Sequence, residues 1–136
     1  MFLSMVKISP VPGREKEIID ILLSVRGPTL ADAGCLECSI LEEHDDDKAI
    51  LYLEKWQSGE QLCNHIRSAI YSRVLKALEL SDREPEIWFH EITGTQGMAV
   101  IERLRSSTAG NLELMKKTTV LPANKTGKEK SHDMDE

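Results

Sequence analysis

Aromatic residues are scarce in this sequence, which has only two Trp, two Tyr and two Phe among 136 residues. Cysteine is scarce too: three cysteines cannot all pair into a disulfide framework, and no signal-peptide pattern precedes them, so we expect reduced thiols and a cytoplasmic protein. No apolar run approaches the length of a membrane span, which predicts a protein with no membrane contact. Glycine-rich phosphate loops and nucleophile elbows are also missing, and the corresponding enzyme classes are excluded.

Positive charge is in deficit, and the formal net charge is −6. Up to Arg105 the chain has 12 basic and 18 acidic residues, and beyond it 5 of each, so the whole negative excess lies in the first part. A negative field repels phosphate backbones, which excludes nucleic acid as the expected partner. The same field favours a neutral or weakly polar ligand over an anionic one.

The composition fits one globular domain, with 40% hydrophobic and 29% charged residues. A chain of this length buries enough surface to fold without metal or disulfide staples. We predict a folded domain over residues 1–105. Residues 106–136 turn polar and are expected to form a solvated, partly flexible extension.

The hydrophobic pattern predicts strands and helices in the order β-α-β-β-α-β. Strands are predicted at 2–8, 35–43, 49–56 and 86–92, and helices from Gly13 to a stop or bend at Gly27–Pro28, from Ser58 to Leu78 with a break near Ser68, and at 97–104. Ser58 followed by Gln61 is a capping-box signature for the second helix. This order is typical of an α+β, ferredoxin-like fold, in which an antiparallel sheet carries its helices on one face.

Both faces of that sheet carry apolar residues. In the third strand Tyr52 and Trp56 share one side, while Leu51 and Leu53 share the other. The helices of one subunit can cover only one face. We therefore predict a homodimer that packs two bare sheet faces together as a dimeric α/β barrel.

Four short motifs resemble the antibiotic biosynthesis monooxygenase family, which includes quinol monooxygenases and anthrone oxygenases. They are Val11-Pro12-Gly13-Arg14 before the first helix, Ala33-Gly34-Cys35-Leu36 at the second strand, Leu53-Glu54-Lys55-Trp56 closing the third, and His65 nine residues later. The resemblance covers about residues 2 to 94. It implies the dimeric barrel fold and a reaction that uses neither metal nor flavin.

The implied reaction begins when an electron-rich phenol, quinol or anthrone loses a proton, and the resulting anion then reduces dioxygen. Such a site needs an apolar pocket, aromatic walls and a group that accepts the proton. His65 lies on the apolar stripe of its helix and is the candidate catalytic residue. The candidate substrate-binding residues are Trp56, Tyr52, Tyr71, Trp88 and His90. All of these except His90 are expected to enclose one cavity beside His65.

Two other functions fit the same scaffold. One is a small-molecule-binding or regulatory module that uses the cavity without chemistry, and the other is a non-oxidative enzyme such as an isomerase. Haem degradation is disfavoured. Haem-degrading proteins of similar fold use an asparagine on the first strand, a tryptophan on the helix and a histidine further along. The corresponding positions here hold Val6, His65 and Leu75, and Leu75 cannot ligate iron.

Cys35 and Cys38 have the C-x-x-C spacing of zinc and redox sites. Residues three apart in a regular strand point to opposite faces, and no second C-x-x-C completes a set of four ligands. We therefore expect no metal site and treat both thiols as small buried hydrophobes.

Overall fold

The structure is a computed structural model that describes residues 1–44, 48–106 and 115. The strands are β1 (Phe2–Ile8), β2 (Cys35–Glu42), β3 (Ile50–Trp56) and β4 (Glu86–Glu91), and the helices are α1 (Glu15–Ala31), α2 (Gly59–Ile66), α3 (Tyr71–Leu78) and α4 (Met98–Ser106). The tip of the hairpin between β2 and β3 and the extension beyond Ser106, except for Met115, lie outside the described residues.

The four strands form one antiparallel sheet in the order β2-β3-β1-β4. This confirms the α+β, ferredoxin-like prediction, and the strand bounds agree with the hydrophobic pattern to within one residue. Helices α1, α2 and α3 cover one face, which we call the helix-covered face. There the fully buried Ile18 and Leu22 of α1 and Val74 of α3 join Val6 and Ile50 of the sheet in one core.

The opposite face of the sheet, which we call the open face, mixes apolar and charged side chains. In the order β2, β3, β1, β4 its rows are Leu41–Leu51–Lys7–Glu86, Ser39–Leu53–Met5–Trp88 and Glu37–Lys55–Leu3–His90. None of these twelve residues is buried. Lys55 Nζ pairs with Glu37 Oε1 at 3.1 Å at the margin of the face, whereas its centre is apolar.

Helix α1 passes through Pro28 and continues to Ala31. Of the two predicted outcomes at Gly27–Pro28, a stop or a bend, the stop is therefore wrong. Proline has no N–H to donate, and the carbonyl left without its helical donor is that of Ser24, four residues earlier. Arg73 Nη1 of α3 lies 3.4 Å from that carbonyl oxygen. The buried Thr29 anchors the last turn, and the chain leaves the helix at Asp32.

The capping prediction at Ser58 is confirmed, because its Oγ accepts the Gln61 backbone N–H at 3.2 Å. The expected break in the second helical stretch is present as well. Helix α2 ends at Ile66, Ser68 Oγ donates to the His65 carbonyl oxygen at 2.6 Å, and α3 begins at Tyr71.

A β-bulge corrects the prediction for the two cysteines of β2. The pairing with β3 shifts between Cys35 and Glu37, so that Leu36 is the extra residue. This reset turns Cys35 and Cys38 to the same, helix-covered face, where they are 0% and 1% exposed. Their expected burial is confirmed. Among the described residues no group of three or more His, Cys, Asp or Glu side chains is placed to hold a metal ion.

Across residues 1–44 and 48–106, the helices are all too short or too polar to cross a bilayer.

Candidate active site

The most unusual group on the helix-covered face is the carboxyl group of Glu54, which is 0% exposed in the centre of β3. Its Oε2 accepts the Tyr52 hydroxyl at 2.5 Å, and its Oε1 accepts the indole N–H of Trp56 at 2.9 Å. His65 Nε2 lies 3.0 Å from Oε2. Three polar side chains thus converge on one buried carboxyl group, which replaces the hydration that the charged form would otherwise lose.

The period of a strand explains half of this arrangement. Tyr52, Glu54 and Trp56 alternate with partly exposed residues and therefore share one face of β3. The capped helix α2 explains the other half. Its two buried residues, Leu62 and His65, are three positions apart and face the sheet together.

Aromatic rings enclose the imidazole of His65. Its ring centroid lies 4.7 Å from that of Trp56 at an interplanar angle of 34° and 5.4 Å from that of Tyr71, in an edge-on arrangement. His65 and Tyr71 are each 5% exposed. The imidazole is therefore held on three sides, by Glu54, Trp56 and Tyr71.

Burial strongly influences the titration of the neighbouring groups. It raises the pKa of Tyr52, and the Glu54 carboxylate acts in the same direction. It also raises the pKa of Tyr71 to about 12, again with a contribution from Glu54. Burial raises the pKa of the Cys38 thiol to about 12, although the hydrogen bond to Tyr52 at 3.3 Å opposes the shift. All three groups are protonated at neutral pH, and Cys38 and Tyr52 act as hydrogen-bond donors.

The hydrogen bonds also indicate the tautomer of His65. Tyr52 and Trp56 are donors, so Glu54 is an acceptor, and the contact with His65 is satisfied when Nε2 carries the proton. In the neutral ring Nδ1 then has a free lone pair. Within the described chain no side chain bonds to Nδ1. A carboxylate that orients an imidazole in this way prepares it to accept a proton.

The structure brings together His65, Trp56, Tyr52 and Tyr71 of the predicted set, but it does not bring Trp88 and His90 to them. The pairing of β4 with β1 places Trp88 beside Met5 and His90 beside Leu3, on the open face. The prediction that Trp88 shares one cavity with the residues around His65 is therefore wrong.

Glu54 is the member of the site that sequence reasoning missed. The motif Leu53-Glu54-Lys55-Trp56 contributes to the family resemblance, and Glu54 also falls between Tyr52 and Trp56 on the apolar side of the strand. An acidic residue at an inward position of a central strand is rare unless it is paired. The alternation of inward- and outward-facing residues along β3 is therefore the sequence signal that marks Glu54 as a site residue.

A concavity of about 380 Å³ lies away from this cluster. It is formed where the end of β1, the start of α1 and the loop after α3 meet, and it is lined by Ser9, Pro10, Pro12, Glu15, Lys48, Asp82 and Arg83. Its charged groups have both signs. It shares no residue with the cluster around Glu54.

The fold and the site define a small α+β protein whose sheet and helices enclose an aromatic-walled carboxylate–imidazole pair. The family model described as antibiotic biosynthesis monooxygenase matches residues 1–77, which is more than half of the chain. The chain belongs to this family.

Solved structures agree on the fold. A conserved protein of Methanosarcina mazei Go1 is 26% identical and superposes with a TM-score of 0.61 over 65% of this chain and 89% of its own. A Deinococcus radiodurans protein named after the same family is 17% identical, with a TM-score of 0.65 over 72% of this chain and 98% of its own. A Mycobacterium tuberculosis protein is 20% identical, with a TM-score of 0.64 and coverage of 71% and 98%.

An uncharacterised protein of Synechocystis is 26% identical over 86 residues, which are 62% of this chain. The match spans 58% of the length of that relative. The relationship thus extends over the domain and not over the whole of the longer protein.

Proposed function

We propose that this protein is a cofactor-independent monooxygenase that oxidises a small phenol, quinol or anthrone with dioxygen. The observation that supports this most directly is the contact of 3.0 Å between His65 Nε2 and Glu54 Oε2, both buried and surrounded by Trp56 and Tyr71. Family membership points to the same chemistry.

The reaction requires one proton acceptor and a dry, aromatic-walled site. His65 Nδ1 takes the proton of the activated substrate, and the carbanion that remains transfers electrons to dioxygen and forms a C–O bond. The resulting hydroperoxide takes the proton back and loses water. One oxygen atom ends in the new carbonyl group, which in a quinone-type product tautomerises to a hydroxyl, and the other ends in water, so the substrate alone supplies the electrons.

Each neighbour of His65 has a distinct part in this scheme. Glu54 is a positioning residue that fixes the tautomer of His65 and stabilises the imidazolium when it forms. Tyr52 and Trp56 donate hydrogen bonds to the two oxygens of Glu54 and so hold its carboxyl group in place. Tyr71 and Trp56 supply the aromatic walls.

The test is oxygen uptake with a panel of quinols and anthrones, comparing the wild-type protein with His65→Gln. A positioned base contributes about 10² to 10⁴ in rate, so we expect turnover of the preferred substrate to fall by about 100-fold. His44→Gln, which changes an exposed histidine of the hairpin, is the matched control. Unchanged turnover in His65→Gln would exclude the proposed role of His65.

A small-molecule-binding or regulatory module is the second candidate. It is favoured by the closure of the cluster, in which the carboxyl group of Glu54 is already satisfied by three side chains without any ligand. The same panel separates the candidates. Binding without oxygen uptake or product supports the module, and a product of unchanged mass formed without oxygen supports an isomerase.

We also propose that the protein is a homodimer joined through the open face. Leu51, Leu53, Met5 and Trp88 form an apolar centre there, and the charged pair Lys55–Glu37 lies at the margin. An apolar centre with a polar rim is the usual composition of a protein interface.

A further inference from the structure

The two edges of the sheet are protected to different degrees. At the β2 edge, Arg26 Nε of α1 donates to the Cys38 carbonyl oxygen at 2.8 Å, and the bulge at Leu36 interrupts the regular pairing of the strand. Both features hinder the addition of a further strand. At the other edge, β4 pairs with β1 without a shift, and all six of its residues are exposed. The β4 edge is therefore the one that can accept another strand.

The register of β4 shows which of its backbone groups point outward. The Ile92 N–H donates to the Met1 carbonyl oxygen at 2.7 Å, so these two residues form a hydrogen-bonded pair. Such pairs alternate along an antiparallel ladder, and the residues of β4 that direct their backbone groups towards β1 are therefore Glu86, Trp88 and His90. The residues that direct theirs outward are Ile87, Phe89 and Glu91. Within residues 1–44 and 48–106, nothing bonds to those outward groups.

These outward groups restrict how a second copy of β4 can pair with the first. Two copies of one strand pair antiparallel about a two-fold axis, and each residue with outward groups must then face another such residue. Since the outward groups belong to every second residue, the axis passes through a residue and not between two residues. The backbone alone thus permits an axis at Ile87, Trp88 or Phe89, and the side chains decide among them.

An axis at Trp88 matches the side chains best. Trp88 then faces Trp88 of the second copy, and Ile87 faces Phe89 on the helix-covered side. Aromatic pairs and aliphatic–aromatic pairs across neighbouring strands stabilise a sheet. Glu86 faces His90, so that a carboxyl oxygen meets an imidazole that can donate an N–H. The strand is thus complementary to itself in this register.

The two other axes place unlike side chains opposite each other. With the axis at Phe89, Ile87 would face Glu91 of the second copy, and with the axis at Ile87, Trp88 would face Glu86. Either arrangement places a carboxyl group beside an apolar side chain and gives it no donor across the strands, which is unfavourable.

We propose that two copies of this chain pair through their β4 edges, antiparallel and with the two-fold axis at Trp88, so that the two sheets continue as one. The contact involves one six-residue strand from each copy, and interfaces that bury less than about 1,200 Å² are typical of weak association. We therefore expect half-association at a chain concentration on the order of 100 µM, well above that on a chromatography column. The β4 edge and the open face are different surfaces, so the proposed open-face dimers would pair into tetramers.

Sedimentation velocity of the full chain from about 10 µM to about 1 mM measures this pairing. Leu53→Glu removes the open-face contact, and the mass of this variant should rise from one chain to two with concentration. The wild-type mass should rise from two chains to four. A wild-type mass that rises only from one chain to two would support the β4 pairing and refute the open-face dimer, so the two proposals fail separately.

An exchange of charges tests the register in the Leu53→Glu background. Glu86→Lys and His90→Glu should each weaken the association about fivefold, because each acts at two symmetric contacts. The combined variant should recover the original association to within about twofold, because opposite charges then face each other. Glu91→Lys makes the same change of charge as Glu86→Lys at a position that faces Pro85 of the second copy, and it is the matched control.

Phe89→Pro tests the edge itself. The Phe89 N–H points away from β1, so the substitution removes a donor from the outer edge and leaves the ladder within one chain intact. Association of this variant should fall below detection. Circular dichroism checks that each variant is folded.

Amide hydrogen exchange locates the contact in the wild-type protein. The Ile87 and Phe89 amide protons should exchange about fivefold more slowly at about 1 mM than at about 10 µM, because they become bonded only on pairing. The Trp88 amide proton, which is directed towards β1, should exchange slowly at both concentrations.

The proposal is overturned if the mass of Leu53→Glu does not change with concentration, if Phe89→Pro associates like its parent, or if the combined charge variant stays weak. An effect of Glu91→Lys as large as that of Glu86→Lys would refute the register. Slow exchange of the Ile87 and Phe89 amide protons at both concentrations would mean that another part of the chain already covers the edge, and would also refute the proposal.

Discussion

Glu54 and His65 are eleven residues apart in the chain and meet between the sheet and α2, with Oε2 and Nε2 separated by 3.0 Å. The side chains are 0% and 3% exposed. An interaction so well shielded from water is barely screened by salt, unlike an ion pair on the surface. Both the stability of the domain and its proposed chemistry therefore depend on the same contact.

The first prediction concerns Glu54→Gln. The amide keeps the size of the side chain, but an NH₂ group replaces one of the two oxygens that accept hydrogen bonds in the wild-type protein. That NH₂ group then faces another donor instead of an acceptor. A buried polar group left unpaired costs about 1–3 kcal/mol, and we expect the free energy of unfolding in urea to fall by that amount. Glu60→Gln, at an exposed position of α2, should change it by less than about 0.5 kcal/mol. Equal effects of the two substitutions would contradict the prediction.

The second prediction concerns alkaline pH. Tyr52, Tyr71 and Cys38 all have a pKa that is raised in the folded state, mainly by burial. The folded state then holds protons that the unfolded state releases. The stability they contribute is complete below about pH 9 and is lost as the pH rises towards 12. Each group adds a slope of about 1.4 kcal/mol per pH unit within its own interval.

Urea unfolding at a series of pH values from 8 to 11.5 measures this loss. Tyr71→Phe should make the slope above pH 10 shallower by about 1.4 kcal/mol per pH unit, because one of the three groups is removed. Cys38→Ala should remove the part of the loss that begins near pH 9. Cys63→Ala, at an exposed thiol, is the control. A slope that all three variants leave unchanged would disprove this explanation.

The third prediction concerns Pro28 within α1. Pro28→Ala restores the N–H that the Ser24 carbonyl lacks and removes a residue that is strongly unfavourable inside a helix. The free energy of unfolding should rise by about 1–3 kcal/mol, since proline also restricts the unfolded chain and that effect opposes the gain. Gly27→Ala, where an added Cβ meets no atom within 4 Å, should add about 0.5–1 kcal/mol. If Pro28→Ala destabilises the domain, the Arg73 contact with Ser24 is more important than its length of 3.4 Å indicates.

The fourth prediction concerns the proposed dimer. Size-exclusion chromatography with light scattering should give twice 15.3 kDa. Leu53→Glu places a charge in the middle row of the open face and should produce monomers, because an unpaired charge is costly in an apolar interface. Leu75→Glu changes a leucine on α3 that is 50% exposed, and it should leave the mass unchanged. A wild-type monomer would refute the open face as a self-association surface.

Local patterns along the chain predicted most of the fold. The strand bounds, the Ser58 cap and the burial of Trp56 and Tyr52 follow from the spacing of apolar and capping residues within a few positions. The faces of Cys35 and Cys38 did not follow. An extra residue such as Leu36 leaves no mark in an alternating pattern and becomes visible only in the pairing with β3.

The site was predicted only in part, because residues close together in the chain can be grouped from local patterns and distant ones cannot. Tyr52, Trp56 and His65 could be grouped because β3 and α2 follow each other directly in the chain. Trp88 could not be assigned to a face without its pairing to Met5, more than eighty residues away in sequence. Glu54 was recoverable from period two alone, but a charged residue is usually expected to face water.

The Cys38 thiol, which donates a hydrogen bond to Tyr52, allows the rate of local opening of the core to be measured. A buried, protonated thiol is inert to alkylating reagents until the sheet and helices separate around it. Its labelling rate, measured after the exposed Cys63 has been replaced, therefore counts how often this part of the core opens. Cys38 therefore reports local opening of the core next to Tyr52 and Glu54.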